Sequence, residues 1–264
     1  MITGGIDIGV RCVKIVIKKE DEILTKKIGI SGAAKREQNV TALWEEALRD
    51  AGVNRQDLRA VAVTGKGKYN ISFADIRKTE VVCLQKAVQL LAPQATMALQ
   101  MGADEMLAAV FDHTKPAGIS EMTLNQKCAA GQGLLLENLA NEFDWNPEEP
   151  LSWPGCAKAL DNPETISDGC AVFARMDVLE AMNHGAKKEA VMAGVLHAAA
   201  VRAYAVIQDI TLPDMDQIVL CGGLSRNPLF VSELEKVAGM RLPVLPNAQF
   251  IGAIGAAVAA SERE

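Results

Sequence analysis

Short apolar runs, broken by glycine and by polar turns, open the chain. Residues 2–8 are apolar and punctuated by glycine, residues 13–19 alternate apolar and polar positions, and residues 22–29 form a third run. Alternation with a period of two is typical of a half-buried strand, and short polar turns join antiparallel neighbours. The beginning of the chain therefore predicts an antiparallel meander.

Helical spacing and short buried runs follow in the rest of the chain. Residues 39–51 place apolar side chains on one helical face, and Gly52 supplies a carboxyl-terminal stop. The pattern predicts further strands at residues 60–64, 96–100, 106–112, 119–125 and 217–221, and further helices at residues 79–91, 132–143, 172–182, 187–210, 227–238 and 250–262.

Strands lead each half of the chain and helices follow, which is the order of a two-lobed α/β protein with mixed sheets. We predict an amino-terminal lobe at residues 1–95 and a carboxyl-terminal lobe at residues 96–264, whose last helix can pack back on the first lobe. Residues 145–154, rich in tryptophan and proline, predict a surface excursion.

Composition narrows the class of protein. The chain has 264 residues, 49% of them hydrophobic, and a net charge of −6, which fits a protein with a substantial core. An acidic balance argues against non-specific nucleic-acid binding, which needs a basic surface. The opening residues do not resemble a signal peptide, and the most apolar stretch is interrupted by His197 and Arg202. We expect a soluble cytoplasmic protein with no membrane partner.

The six cysteines include no C-x2-C pair. This spacing excludes the usual zinc ribbon and the usual ferredoxin arrangement. Disulfides are rare in the cytoplasm, so most of these cysteines are expected to be buried thiols, and an exception must be argued from its setting.

A first phosphate-binding signal lies at residues 4–9, where GGIDIG turns back into the second strand. Gly9 permits close approach of a phosphate to backbone N–H groups. Asp7 could hold Mg²⁺ through water, and Lys14 could neutralise phosphate charge. An ordinary hairpin with a polar corner is the alternative interpretation.

Two further glycine signals follow later in the chain. A buried strand runs into Gly222 and Gly223 and then into a helix at Asn227, an arrangement that can seat a nucleotide or can simply be a tight turn. Residues 250–257, which include Gly252, have small side chains that allow close packing against a sheet or a nucleotide. The order of the three signals resembles the acetate kinase, hsp70 and actin superfamily of ATPases. That resemblance implies two ribonuclease-H-like lobes that clasp ATP with Mg²⁺.

Two cysteine segments resemble one branch of that superfamily. Residues 125–133 read NQKCAAGQG and resemble the signature N-D-K-C-A-A-G-T-G, while residues 170–178 read CAVFARMDV and resemble the segment of the second family cysteine. Residues 64–68, TGKGK, resemble the family turn T-G-Y-G-R/K. The branch is the BadF/BadG/BcrA/BcrD-type ATPase family, which comprises activators of 2-hydroxyacyl-CoA dehydratases and ATP-binding subunits of benzoyl-CoA reductase.

The sequence departs from the branch at two phosphate motifs. Val10 stands where the family has Ser or Thr, so backbone amides must hold the phosphate there. Gln100 replaces a magnesium-associated Asp, and a neutral amide is a poor substitute around a hard cation. The resemblance still implies that Gly102 contacts the nucleotide, and Asp104 or Glu105 could take over the metal. The G-A-D-E form resembles the smaller ATP-binding subunit of benzoyl-CoA reductase.

The resemblance implies an ATP-binding iron–sulfur subunit that couples ATP hydrolysis to low-potential electron transfer. A [4Fe–4S] cluster, which needs four thiolates, would bridge two chains, with Cys128 and Cys170 as ligands from this one. Asp7, Asp104 and Glu105 are the candidate catalytic residues. Expected partners are a paralogous ATP-binding subunit, acyl-CoA-reducing subunits and a ferredoxin-type electron donor.

Several alternatives stay open. The chain could be a homodimeric activator of a 2-hydroxyacyl-CoA dehydratase, or a small-molecule kinase of the same fold with Asp104 or Glu105 as base. It could also be a non-catalytic partner, because Gln100 puts its own ATP hydrolysis in question. Cys156 is the substitute cluster ligand.

Overall fold

A computed structural model describes residues 1–112, 118–125, 132–210 and 217–262. The chain divides into two units. Unit 1 comprises Met1–Ala95 and Gln249–Glu264, and unit 2 comprises Thr96–Ala248. The last helix thus groups with the amino-terminal part of the chain.

Unit 1 is built on a sheet with strand order β3-β2-β1-β4-β5. Strands β1 (Ile2–Ile8), β2 (Cys12–Lys19) and β3 (Glu22–Ile30) are antiparallel neighbours, which confirms the predicted meander. Strand β4 (Ala60–Thr64) runs parallel to β1, and the short β5 (Ile76–Arg77) runs parallel to β4. The helices of this unit are α1 (Arg36–Ala51), α2 (Glu80–Leu91) and α8 (Ile251–Ser261).

Two consecutive glycines of β1 let helices pack closely on both faces of the sheet. A Cβ at Gly4 would lie 2.5 Å from the ring of Trp44 in α1, and a Cβ at Gly5 would lie 1.9 Å from the backbone oxygen of Ala253 in α8. Successive strand residues point to opposite faces, so one pair of glycines serves both contacts. The diglycine that carried a phosphate-binding signal therefore has a packing role.

Unit 2 contains the second sheet, with strand order β8-β7-β6-β9. Strands β6 (Met97–Met101), β7 (Met106–Phe111) and β8 (Ile119–Leu124) are antiparallel, and β9 (Ile218–Cys221) runs parallel to β6. The helices are α3 (Gln132–Glu142), α4 (Cys156–Ala159), α5 (Ala171–Asn183), α6 (Lys188–Gln208) and α7 (Pro228–Ala238). Both units combine mixed sheets with helices, which confirms the predicted α/β class.

Helix α6 lies in the core of unit 2, with thirteen of its residues buried. Among the described residues it is the one helix long and apolar enough to cross a membrane, and 72% of its most apolar window is buried within the structure. A core helix meets the same criteria, so its length and composition carry no membrane assignment.

We predicted a surface excursion at residues 145–154, and this prediction is wrong for the tryptophans, which pack into or against the core. Trp153 is buried in the core of unit 2, and Trp145 stacks on it with ring centroids 6.0 Å apart. The indole Nε1 of Trp153 donates a hydrogen bond of 2.8 Å to the backbone oxygen of Asn146. Aromatic burial with a satisfied indole N–H outweighs the turn-forming tendency of the prolines.

Candidate functional site

An ion pair at the end of β1 forms the centre of the unit 1 site. Asp7 and Lys14 are register partners on the antiparallel strands β1 and β2, and Lys14 Nζ lies 3.5 Å from Asp7 Oδ2. Both side chains are largely buried, with 15% of Asp7 and 18% of Lys14 exposed. A partly buried carboxylate and ammonium at this separation suit a divalent cation and a phosphate, respectively.

Two glycines pack against the Asp7 carboxylate. A Cβ at Gly65, which has φ of +86°, would lie 2.7 Å from Asp7 Oδ1, and a Cβ at Gly252 would lie 2.9 Å from Oδ2. Gly252 belongs to the first turn of α8, so the carboxylate also faces the positive end of a helix dipole. Gly65 was not among the predicted site residues, although the TGKGK turn contained the signal.

The turn from β1 to β2 completes this group. The Gly9 N–H donates to the Cys12 oxygen at 3.0 Å, and a Cβ at Gly9 would lie 3.4 Å from Lys14 Nζ. Val10 is 43% exposed at the tip of the turn, where it offers no hydroxyl group. The structure therefore brings Asp7, Gly9, Lys14 and Gly252 together within unit 1.

Two glycine turns of unit 2 follow neighbouring strands. Gly222 has φ of +93°, and a Cβ there would lie 2.2 Å from the Met101 oxygen, so this position requires glycine. A Cβ at Gly223 would meet nothing within 4 Å. The Gly102 N–H donates to the Glu105 oxygen at 2.8 Å and closes the second turn. Strands β6 and β9 are parallel, so both turns stand at the same edge of the sheet.

Asn227 caps helix α7. Its Oδ1 accepts hydrogen bonds from the N–H groups of Leu229 and Phe230 at 3.0 and 3.2 Å, and the residue is 7% exposed. Capping satisfies donors that a helix start leaves without partners. The structure gives this side chain a structural role, and its contact with a nucleotide stays a prediction.

The side-chain carbonyl of Gln100 is buried. Its Oε1 has no hydrogen-bond partner among the described residues, although Gln100 is paired through the sheet with Leu107 and Cys221. Leaving such an acceptor unsatisfied costs about 1–3 kcal/mol, so a donor supplied by water or a ligand would be stabilising.

The turn that carries Asp104 contacts the start of helix α3. The Leu134 N–H donates to the Ala103 oxygen at 3.1 Å, and a Cβ at Gly133 would lie 2.8 Å from the Gly102 oxygen. A cavity of about 560 Å³ adjoins the turn; it is lined by Asp104, by residues of α3, and by residues of α5 that include Ala171 and Val172. Unit 2 therefore brings the predicted metal-binding turn next to the helix that begins after Cys170.

The cysteines differ in setting. Cys170 is partly exposed at the N-cap position of α5, while Cys83, Cys156 and Cys221 are buried. Burial raises the pKa of the Cys156 thiol to about 12, and its Sγ donates to the Glu189 oxygen at 3.7 Å, so Cys156 is a poor substitute ligand. Burial likewise raises the pKa of Cys221.

Cys128 lies outside the residues that the structure describes. Within the described ranges, no group of three or more His, Cys, Asp or Glu side chains is arranged to hold a metal ion.

Comparison with known proteins identifies the family. The sequence profile of the BadF/BadG/BcrA/BcrD ATPase family matches residues 5–260. The chain belongs to this family. It is 29% identical to the activator of lactoyl-CoA dehydratase of Anaerotignum propionicum, over 99% of this chain and 98% of that protein. It is also 29% identical to a subunit of benzoyl-CoA reductase from Thauera aromatica, over 97% of this chain and 92% of that protein.

Solved structures place the family member in the predicted superfamily fold. The activator of 2-hydroxyisocaproyl-CoA dehydratase from Clostridium difficile with bound ADPNP matches with a TM-score of 0.83 and 27% identity, over 98% of this chain and 94% of that one. A glucokinase of the ROK family from Streptomyces griseus, 13% identical, matches with a TM-score of 0.61 over the whole of both chains, and that likeness shows the fold alone. The predicted family and the predicted ATPase fold are both confirmed.

Proposed function

We propose that this BadF/BadG/BcrA/BcrD family member is the ATP-binding, electron-activating subunit of a benzoyl-CoA reductase-type complex. The observation that carries the proposal is the cavity of unit 2. It places Asp104, on a turn predicted to meet nucleotide and metal, beside the first residues of α5, which begins after Cys170. A change in that turn can therefore be transmitted through α3, which contacts both the turn and α5, to the helix that begins after a predicted cluster ligand.

The nucleotide half of the proposal rests on the Asp7 group. Lys14 would neutralise phosphate charge, Gly9 would let a phosphate approach the backbone closely because it has no side chain, and Asp7 would hold Mg²⁺ through water. The ADPNP bound to the Clostridium difficile relative supports this assignment, because that protein shares the fold over nearly its whole length.

The cluster half rests on Cys170 together with Cys128. A partly exposed cysteine at the start of a helix of 13 residues fits a cluster ligand, because free N–H groups and the helix dipole favour a thiolate. When bound, a [4Fe–4S] cluster supplies a one-electron carrier. Since two thiolates per chain make half of the required set, a second subunit would supply the rest.

The choice of a reductase rather than a dehydratase partner rests on the turn at residues 100–105. Gln100 and the G-A-D-E form resemble the smaller reductase subunit, and the benzoyl-CoA reductase chain of Thauera aromatica is 29% identical to this one. The alternative is activation of a 2-hydroxyacyl-CoA dehydratase, which the 29% identity to the lactoyl-CoA dehydratase activator supports to a similar degree.

Anaerobic purification from the native host tests both halves at once. We expect iron and acid-labile sulfide in the protein, Mg-ADP binding by calorimetry, and co-purification with a paralogous ATP-binding chain and acyl-CoA-reducing subunits. Purification as a homodimer that activates a dehydratase would support the alternative. A colourless protein that phosphorylates a small molecule would contradict the electron-transfer proposal.

A further inference from the structure

We propose that Arg202 is a positioning residue for the cluster ligand Cys170. This inference rests on the proposed function, because it assumes that Cys170 binds the cluster. Arg202 lies within the buried helix α6 and is 3% exposed. Its guanidinium Nε donates to the backbone oxygen of Asp168 at 2.6 Å, and Nη2 donates to the same oxygen. Asp168 precedes Cys170 by two residues in the chain.

Residues 164–169, which we call the strap, lie along α6. Arg202 binds the end of the strap that is nearest to Cys170. The Glu164 N–H donates to the Ala190 oxygen at 3.1 Å, and a Cβ at Gly194 would lie 2.3 Å from the Glu164 oxygen. Positions 190, 194 and 202 lie on one i±4n ridge of α6. The strap therefore contacts one side of the helix from its first turn to Arg202.

A side chain of α5 also binds the same end of the strap. Asp177 Oδ2 accepts a hydrogen bond of 2.7 Å from the Ser167 N–H, and Ser167 Oγ accepts one of 3.3 Å from the Gly169 N–H. The backbone just before Cys170 is thus held by a carboxylate of α5 and by a guanidinium of α6. Such bracing restricts where the first residue before α5 can place its thiol.

The chemistry of Arg202 favours this role over simple core packing. Burying a guanidinium costs free energy, and an apolar side chain of similar size would fill the same space without that cost. The planar fork directs two donors onto one backbone oxygen, which fixes both the position and the orientation of the strap.

Exchange of backbone amides in metal-free protein tests the strap without the cluster. We expect Arg202→Met to raise hydrogen exchange at residues 167–170 by roughly tenfold or more, because a charged donor pair no longer closes that segment. Arg202→Lys keeps one donor and is expected to restore part of the protection. Glu233→Gln is the matched control, because Glu233 is 2% exposed and its described partners are His197, at 2.7 Å, and Lys236, neither of which belongs to the strap. It should leave exchange at residues 167–170 unchanged.

The cluster-loaded protein gives the second readout. We expect Arg202→Met to change the EPR spectrum of the reduced cluster or its midpoint potential, with Arg202→Lys closer to the unchanged protein. Unchanged exchange together with an unchanged spectrum in Arg202→Met would overturn the proposal. If the methionine variant does not fold, the same two measurements on Arg202→Lys decide the matter. Absence of iron from the unchanged chain would instead refute the proposed function, and the exchange experiment would still report on the strap.

Discussion

Replacing Gly252 with alanine adds one methyl group beside the Asp7 carboxylate. The new Cβ would lie 2.9 Å from both Cγ and Oδ2 of Asp7, closer than carbon atoms normally approach. The atoms in the way belong to a side chain, so the carboxylate can rotate away while the backbone of β1 and α8 stays in place. Rotation separates Asp7 from Lys14, whose Nζ now lies 3.5 Å from Oδ2.

The substitution should affect the stability of the protein less than it affects the binding of Mg-ADP. Alanine is favoured over glycine within a helix by about 0.5–1 kcal/mol, while overpacking costs about 1–3 kcal/mol, so the net loss of stability should be roughly 0–2.5 kcal/mol. Removal of a charged hydrogen-bonding group from a ligand costs about 1.5–3 kcal/mol. The Kd for Mg-ADP should therefore rise by roughly 10- to 150-fold.

Calorimetric titration with Mg-ADP and thermal unfolding measure the two effects separately. Gly29→Ala is the matched control in the same unit, because its Cβ would press only on the flexible end of Leu43, at 3.3 Å. Its Kd should stay that of the unchanged chain. Gly255→Ala provides the contrast, because its Cβ would lie 1.7 Å from a backbone oxygen and should destabilise the unit itself. An unchanged Kd in folded Gly252→Ala would refute the placement of Asp7 in the nucleotide site.

Three further outcomes are expected. Cys170→Ser should lose most of the iron from anaerobically purified protein, whereas Cys156→Ser should retain it; equal iron content in both variants would contradict the ligand assignment. Gln100→Asp should raise Mg²⁺-dependent ATP hydrolysis, because a carboxylate replaces a neutral amide beside a hard cation; a rate no higher than that of the unchanged chain would show that the metal site lies elsewhere. Burial raises the pKa of Cys83 from 9.0 to about 12, so the unfolded chain loses this proton first as pH rises. The contribution of Cys83 to the free energy of unfolding should be fully present below pH 9 and should be lost as pH rises from 9 to 12. Denaturant titrations that show the same free energy of unfolding across this range would contradict the burial of the thiol.

Local patterns predicted the elements of both units well. The alternation of the first three strands and the stop at Gly52 agree with the structure, in which Gly52 adopts φ of +66° at the end of α1. Period and capping are properties of a few neighbouring residues, so they can be read without knowledge of the fold. The tryptophans of residues 145–154 could not be placed in this way, because their burial depends on partners distant in the chain.

In the candidate site, too, local motifs were predicted from the sequence, whereas contacts between distant residues were not. The sequence by itself determined the family, the glycine turns and the residue types at Asp7, Lys14 and Cys170, because motifs preserve order and spacing. Tertiary structure decided which of these residues meet and what else each one does. In the structure Asn227 caps α7, and Arg202 of α6 binds the strap before Cys170, although Arg202 and its partner Asp168 are 34 positions apart in the chain. The physical reason is that burial and hydrogen bonding join positions far apart in sequence, and no local period encodes such pairs.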